Sequence, residues 1–201
     1  MKVSAISILA LMAASSIPAA AQAEMFNGPS AGLQAGWSQN DLRQPRTELG
    51  ATTIDGSKES AVLGAMIGYD KQFGGFVLGA EAGLSFGTND RLSSGSGTTR
   101  TTIDPKRSFD LTARAGYLLT PETLVYGRAG YTNDRIRTTF ATGTGTISAS
   151  EYRDGWLVGG GVERAVTQRL SARLEYRYAD LRAGHGKDDR HQVLSGLVFH
   201  F

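Results

Sequence analysis

The 201-residue sequence contains no cysteine, so neither a disulfide nor a thiolate metal site can form. An exported chain without cysteine fits a bacterial envelope better than a disulfide-stapled secreted scaffold. A dominant charge sign is missing too. The formal net charge is +2, and setting aside Lys2 leaves 20 basic against 19 acidic residues. That balance gives no support to a nucleic-acid partner, which needs a concentrated basic surface, and none is expected. Beyond the first 23 residues no stretch approaches the roughly 20 apolar residues that a spanning helix requires. There is no Walker loop, no nucleophile elbow and no zincin helix. The expectation is therefore a protein that is not an enzyme, with no catalytic, cofactor-binding or metal-binding residues.

What is present begins with a targeting segment. Lys2 supplies a positive start, Val3 to Ala14 an apolar core, and Pro18 a helix break. Ala21-Gln22-Ala23 then forms an A-x-A cleavage site, with Ala21 and Ala23 as its small residues. Residues 1–23 are read as a cleaved signal peptide and residues 24–201 as a single β-barrel domain. Ser15, Ser16 and Pro18 interrupt the apolar stretch and disfavour a membrane anchor.

The remainder alternates with period two. In Leu170–Leu181, Leu170, Ala172, Leu174, Tyr176 and Tyr178 share one face, while Ser171, Arg173, Glu175 and Arg177 share the other. A helix would scatter those charges around its circumference, whereas a strand sorts them. Similar alternation runs through Ala61–Tyr69, Phe76–Phe86, Phe109–Tyr117, Leu124–Tyr131, Trp156–Glu163 and Gln192–Phe201, with a weaker signal at Ala31–Trp37. Short connections at 70–75, 119–122 and 166–169 alternate with long polar stretches at 39–59, 88–106 and 133–153 and an intermediate one at 182–190. Glycine, of which there are 26, suits tight turns and crowded backbone packing. Short turns at one end and long loops at the other predict an all-β fold, an eight-stranded antiparallel up-and-down transmembrane barrel.

Alternation alone does not say which face meets solvent. Three features put the apolar face outside. Small residues flank charges on the polar face, as in Gly79-x-Glu81-x-Gly83 and Gly159-x-Gly161-x-Glu163, which suits a crowded lumen. Aromatics such as Trp37, Tyr69, Phe76, Phe109, Tyr117 and Trp156 sit near strand ends, where membrane interfaces would lie. Val193, Leu197, Phe199 and Phe201 share one apolar face at the end of the sequence.

The tract Gly155–Glu163, the turn after it, Leu170–Asp180, Val125–Tyr131 and the ending Leu197–Phe201 resemble the small porin-like surface antigens of Gram-negative bacteria. These are relatives of the eight-stranded membrane domain of outer-membrane protein A. The resemblance implies a place in the outer membrane among its lipids, with both termini periplasmic. It implies periplasmic chaperones and the barrel-assembly machinery as partners, the latter reading Val193, Leu197, Phe199 and Phe201. It implies a structural or surface-interaction role, with weak porin-like conductance left open. The alternatives are a small-solute channel, a lipid-modifying outer-membrane enzyme and a soluble ligand-binding barrel.

The register predicts a lumen containing Glu81, Arg114, Arg128, Glu163, Arg173, Glu175 and Arg177. Buried charges persist only when paired and hydrogen-bonded. Together they form either a narrow polar conduit or an ion-pair network that plugs the barrel; the plug is expected, because eight strands leave a lumen that side chains just fill. Two other features carry chemistry: His185 and His191 flank Asp188 and Asp189 in the last loop, and Ser93–Thr102 and Thr138–Ser150 are Thr-rich. The first is read as a chance loop combination. The second is read as an exposed recognition loop, an inert solvated loop, or an extension of the strands beyond the membrane.

Overall fold

The computed structural model describes residues 25–43, 46–47, 50–51, 56–88, 92–96, 99–142, 145–183 and 186–201. Eight long strands close into a ring: β1 (Gly28–Arg43), β2 (Gly56–Phe73), β3 (Phe76–Thr88), β4 (Thr99–Thr120), β5 (Thr123–Thr142), β6 (Gly145–Ala165), β7 (Leu170–Ala183) and β8 (Gly186–His200). Each pairs antiparallel with its sequence neighbours, and β1 closes the ring against β8 from Ser30↔His200 to Arg43↔Lys187. Closure leaves no strand edge among the eight, which is the condition for crossing lipid with strands. No helix among the described residues is long and apolar enough to cross a membrane. The cleavage residues Ala21 and Ala23, and His185, lie outside the described residues.

The connections at the end of the barrel that holds Gly28 and His200 are tight. Gly74-Gly75 joins β2 to β3, Pro121-Glu122 joins β4 to β5, and residues 166–169 join β6 to β7. Gly74 takes a φ of +61°, the left-handed region where a residue without Cβ fits without strain.

The stretches read from sequence as long loops are largely strand. The 133–153 stretch is the upper half of the β5–β6 hairpin, paired without interruption from Asn133↔Asp154 to Thr142↔Gly145. Of the 88–106 stretch, Leu92–Ser96 pairs with Thr99–Ile103. The polar Thr-rich sequence concealed this because threonine, isoleucine and phenylalanine favour extended backbone whatever their polarity suggests. β4 is 22 residues long, about twice the ~9–11 that cross a bilayer, so the hairpins project well beyond the apolar belt. Pro105, which has no N–H to donate, coincides with a shift in the β4–β5 register.

The outer surface is apolar. Leu33, Ile67, Leu78, Leu111 and Leu197 are each more than half exposed. Water would penalise such a surface at about 25 cal/mol per Å², whereas hydrocarbon accepts it. Aromatics rim the belt at both ends. Tyr69, Phe73, Phe76 and Tyr117 lie near the tight turns, and Trp37, Phe86, Phe109, Tyr131 and Trp156 lie toward the hairpins. Phe76 and Tyr117 meet edge to face at 5.1 Å, and the Trp156 and Tyr178 rings meet at a tilt, 5.5 Å between centres.

Candidate functional site

The inner face is the reverse of the outer one. Glycine makes room for it: a Cβ at Gly68 would lie 2.9 Å from Glu81 Cγ, and one at Gly159 would lie 2.7 Å from the Tyr176 carbonyl oxygen and 3.2 Å from Arg177 Cγ. Long charged side chains from neighbouring strands fill the space so cleared.

Three carboxylates organise the middle of the lumen. Glu81 on β3 accepts from Arg114 Nη1 at 2.7 Å and Arg173 Nη2 at 2.7 Å, and Arg128 Nη1 lies 2.9 Å away. Glu163 on β6 accepts from Arg173 Nη2 at 2.9 Å, Arg114 Nη1 at 3.1 Å and Ser171 Oγ at 2.5 Å. Glu175 on β7 accepts from Arg128 Nη1 at 3.1 Å, from Arg177 Nε and from the Tyr126 hydroxyl. The Tyr126 ring also meets two guanidiniums, with Arg114 4.8 Å and Arg173 5.2 Å from its centre. All seven residues assigned to the lumen from the sequence thus lie buried in one connected network.

The network extends beyond those seven. Asp70 Oδ1 sits 3.0 Å from Arg114 Nε, without the alignment of a hydrogen bond. Toward the hairpins, Asp110 meets Arg177 at 3.3 Å and accepts from Thr132 at 2.7 Å. Arg190 donates to Asp134 at 2.6 Å. With Arg153, the buried charges of the described residues are six arginines and six carboxylates. Alternation had put Asp110 on the polar face, but Asp70, Asp134, Arg153 and Arg190 fell in stretches taken as connections. The signal that would have found them is the continuation of period two through those stretches.

An apolar cluster closes the end near the tight turns. Met25 and Phe26 fold into the barrel mouth against Val77, Leu124, Tyr126 and Ala165. Phe26 is fully buried and meets His200 edge to face at 5.6 Å.

Ser171, His200 and Glu163 form a group that superficially suits nucleophilic catalysis. His200 Nε2 lies 3.1 Å from Ser171 Oγ and 3.0 Å from Glu163 Oε1. Both contacts use the same ring nitrogen, so the imidazole cannot take a serine proton on one nitrogen while the acid holds the other. Ser171 is fully buried, with no path for a substrate. On the outer face, His191 Nδ1 lies 2.8 Å from the Tyr176 hydroxyl, and Asp189 accepts from Tyr178 at 2.8 Å.

At the end of the sequence, Val193, Leu197, Phe199 and Phe201 all point outward. The rings of Phe199 and Phe201 meet edge to face at 5.1 Å.

Known proteins share this architecture. A family model described as "Outer membrane protein beta-barrel domain" matches residues 7–201. The 31 kDa outer-membrane immunogenic protein of Brucella melitensis is 27% identical over 183 residues, covering 83% of this chain and 76% of that protein. The 22 kDa outer membrane protein of Rhizobium leguminosarum bv. viciae is 33% identical over 115 residues, covering 56% of this chain and 49% of the relative. Among solved structures, Neisserial surface protein A aligns with a TM-score of 0.55 at 15% identity, over 87% of this chain and 98% of its own. At such low identity the likeness is one of fold.

Proposed function

The chain belongs to the outer membrane protein beta-barrel domain family, and from that premise we propose that it is a sealed barrel whose work is structural and at the cell surface. It is an integral outer-membrane protein, related to proteins described as immunogenic. The observation that carries the sealed reading is the Glu81–Arg114–Glu163–Arg173 cluster, whose four side chains reach across the lumen from β3, β4, β6 and β7. Met25 and Phe26 add an apolar stopper below it. A guanidinium held by two carboxylates in a space that its own side chains fill has nowhere to move for a passing ion.

In this reading the termini face the periplasm, which the tight turns at their end support. The long paired hairpins face outward and offer the contact surface. The assembly machinery engages β8, whose outer face carries Val193, Leu197 and Phe199. Catalysis is not part of the reading, because the Ser171–His200–Glu163 geometry is that of a structural hydrogen-bond cluster.

The competing reading is a narrow conduit, favoured by the continuous file of charge from Asp70 to Arg190. Single-channel recording of the refolded mature chain in a planar bilayer separates the two. A silent bilayer, with folding established by heat-modifiable gel mobility, is the expected result. Discrete steps whose size changes in Arg173→Ala or Glu175→Gln would instead establish a conducting lumen.

A further inference from the structure

The outer surface is not uniformly apolar. Where β4, β5 and β6 pass the hairpin-side aromatic rim, two cations sit directly opposite each other: Arg107 on β4 is the register partner of Arg135 on β5. Like charges opposed across a strand pair repel. No carboxylate among the described residues pairs with either one, although each lumen arginine in the central cluster is held by at least one. Asp154, the acid on the same outer face of β6, has one oxygen capped by neutral donors: Oδ1 accepts from the Tyr131 hydroxyl at 2.6 Å and from the Asn133 amide. Asp134 points into the lumen, to Arg190.

The two arginines stand over an aromatic groove. Its volume is about 300 Å³, and Leu84, Phe109, Tyr131 and Tyr152 form its walls together with Asn133. The Arg135 guanidinium lies 5.7 Å above the Tyr152 ring, which holds it outward. Below the groove, Leu84 and Leu111 lead into the apolar belt. The site therefore has an anion-seeking rim, an aromatic wall and an exit lined for hydrocarbon.

We propose that the Arg107–Arg135 pair binds the phosphate of an anionic lipid in the leaflet around the hairpin end, with an acyl chain lying along Phe109, Leu84 and Leu111. A phosphate group between two guanidiniums converts their repulsion into two charge-assisted contacts, for which the planar arginine fork is well shaped. A free phosphate would use the arginines and leave the groove empty. A neutral lipid would use the groove and leave the arginines unpaired. Only a lipid whose phosphate carries a net negative charge uses both; in phosphatidylcholine the choline already balances it.

The test is lipid retention, read by native mass spectrometry after refolding the mature chain into phosphatidylcholine vesicles doped with a bis-phosphorylated glycolipid of the lipid A type. The wild-type chain is expected to retain the phosphorylated glycolipid. Arg107→Gln/Arg135→Gln should retain it about tenfold less, the scale of one or two lost charge-assisted bonds. Arg164→Gln, at the opposite end of the barrel, should retain it as the wild type does. Both substituted arginines lie on the outer surface, so folding should survive; heat-modifiable mobility checks it, and the single Arg135→Gln variant gives the same reading at smaller amplitude. Equal retention by wild type and double variant overturns the site. So does equal retention of the dephosphorylated glycolipid. Displacement of the bound glycolipid by inorganic phosphate at matching concentration would show that the site takes free phosphate, and would overturn the lipid assignment.

Discussion

Arg173 and Leu174 are consecutive residues on β7, and they sit in opposite solvents. Arg173 is 5% exposed and touches Glu81, Glu163 and Met66 inside the barrel. Leu174 is 48% exposed on the outside, and its side chain has no group that can form a hydrogen bond. The inner face is held by directional bonds among many partners, each of which depends on the others. The outer face is held by its environment, and each residue there acts almost alone. The two faces should therefore respond differently to substitution: sharply and cooperatively inside, gradually and additively outside.

The largest effect is expected at the centre of the network. Arg173→Met leaves Glu81 and Glu163 short of a cation, and should lower stability by about 3–5 kcal/mol in a urea titration followed by gel mobility. Arg173→Met combined with Glu163→Gln should cost less than the sum of the two single variants, because the second change removes a charge that the first left unpaired. Strict additivity would mean that the lumen residues are independent, and the contrast between faces would fail.

Next comes the neighbouring residue. Leu174→Arg places a charge toward lipid, between Val162 and Ser195 of the adjacent strands. The expected loss is about 2–4 kcal/mol if the position lies near the bilayer midplane. In detergent micelles, which deform around a charge, the loss should shrink, while that of Arg173→Met should not. A loss of equal size in both media would place Leu174 away from the hydrocarbon.

Glycines give a smaller and cleaner contrast. Gly159→Val would push a side chain against Arg177 and Arg128, the latter with its Cγ 3.4 Å from the new Cβ. Overpacking of that kind costs about 1–3 kcal/mol. Gly127 faces outward, and the nearest atom to a Cβ there is the Gly159 carbonyl oxygen at 3.8 Å, an ordinary contact. Gly127→Ala should shift the same titration by no more than about 0.5 kcal/mol.

The inner and outer faces differed in how far the sequence revealed them. Alternation in 170–181 separates Arg173, Glu175 and Arg177 from Leu174 and Tyr176 because a strand has one period and only two sides. That rule needs no knowledge of partners, which is why the strand count and the seven lumen charges were legible. The ends of the strands were not, because composition there argues for loops while β-propensity argues for strands, as in Thr138–Ser150. Asp70 was placed in a turn that begins four residues later, at Gly74. The stopper formed by Met25 and Phe26 had no pattern to betray it: two apolar residues next to the expected cleavage site alternate with nothing. The Arg107–Arg135 pair was hidden for a different reason. Their opposition is a matter of register between two strands, and periodicity along one strand carries no information about its neighbour's offset.

The smallest effect is expected at the outer rim, where a polar contact exists but the surroundings can replace it. The Tyr131 hydroxyl donates to Asp154 at 2.6 Å, and Tyr131 is 45% exposed. Tyr131→Phe keeps the ring at the rim and deletes the bond. Water and lipid headgroups at this depth can solvate Asp154, and Asn133 Nδ2 still donates to it. The urea midpoint should not move beyond the scatter of the measurement. Tyr131→Ala removes the ring as well, and should move the midpoint measurably, because the aromatic body at the interface is what the rim uses. If Tyr131→Phe proved as damaging as Tyr131→Ala, the outer face would depend on a directional bond just as the lumen does, and the distinction between a cooperative interior and an additive exterior would not hold.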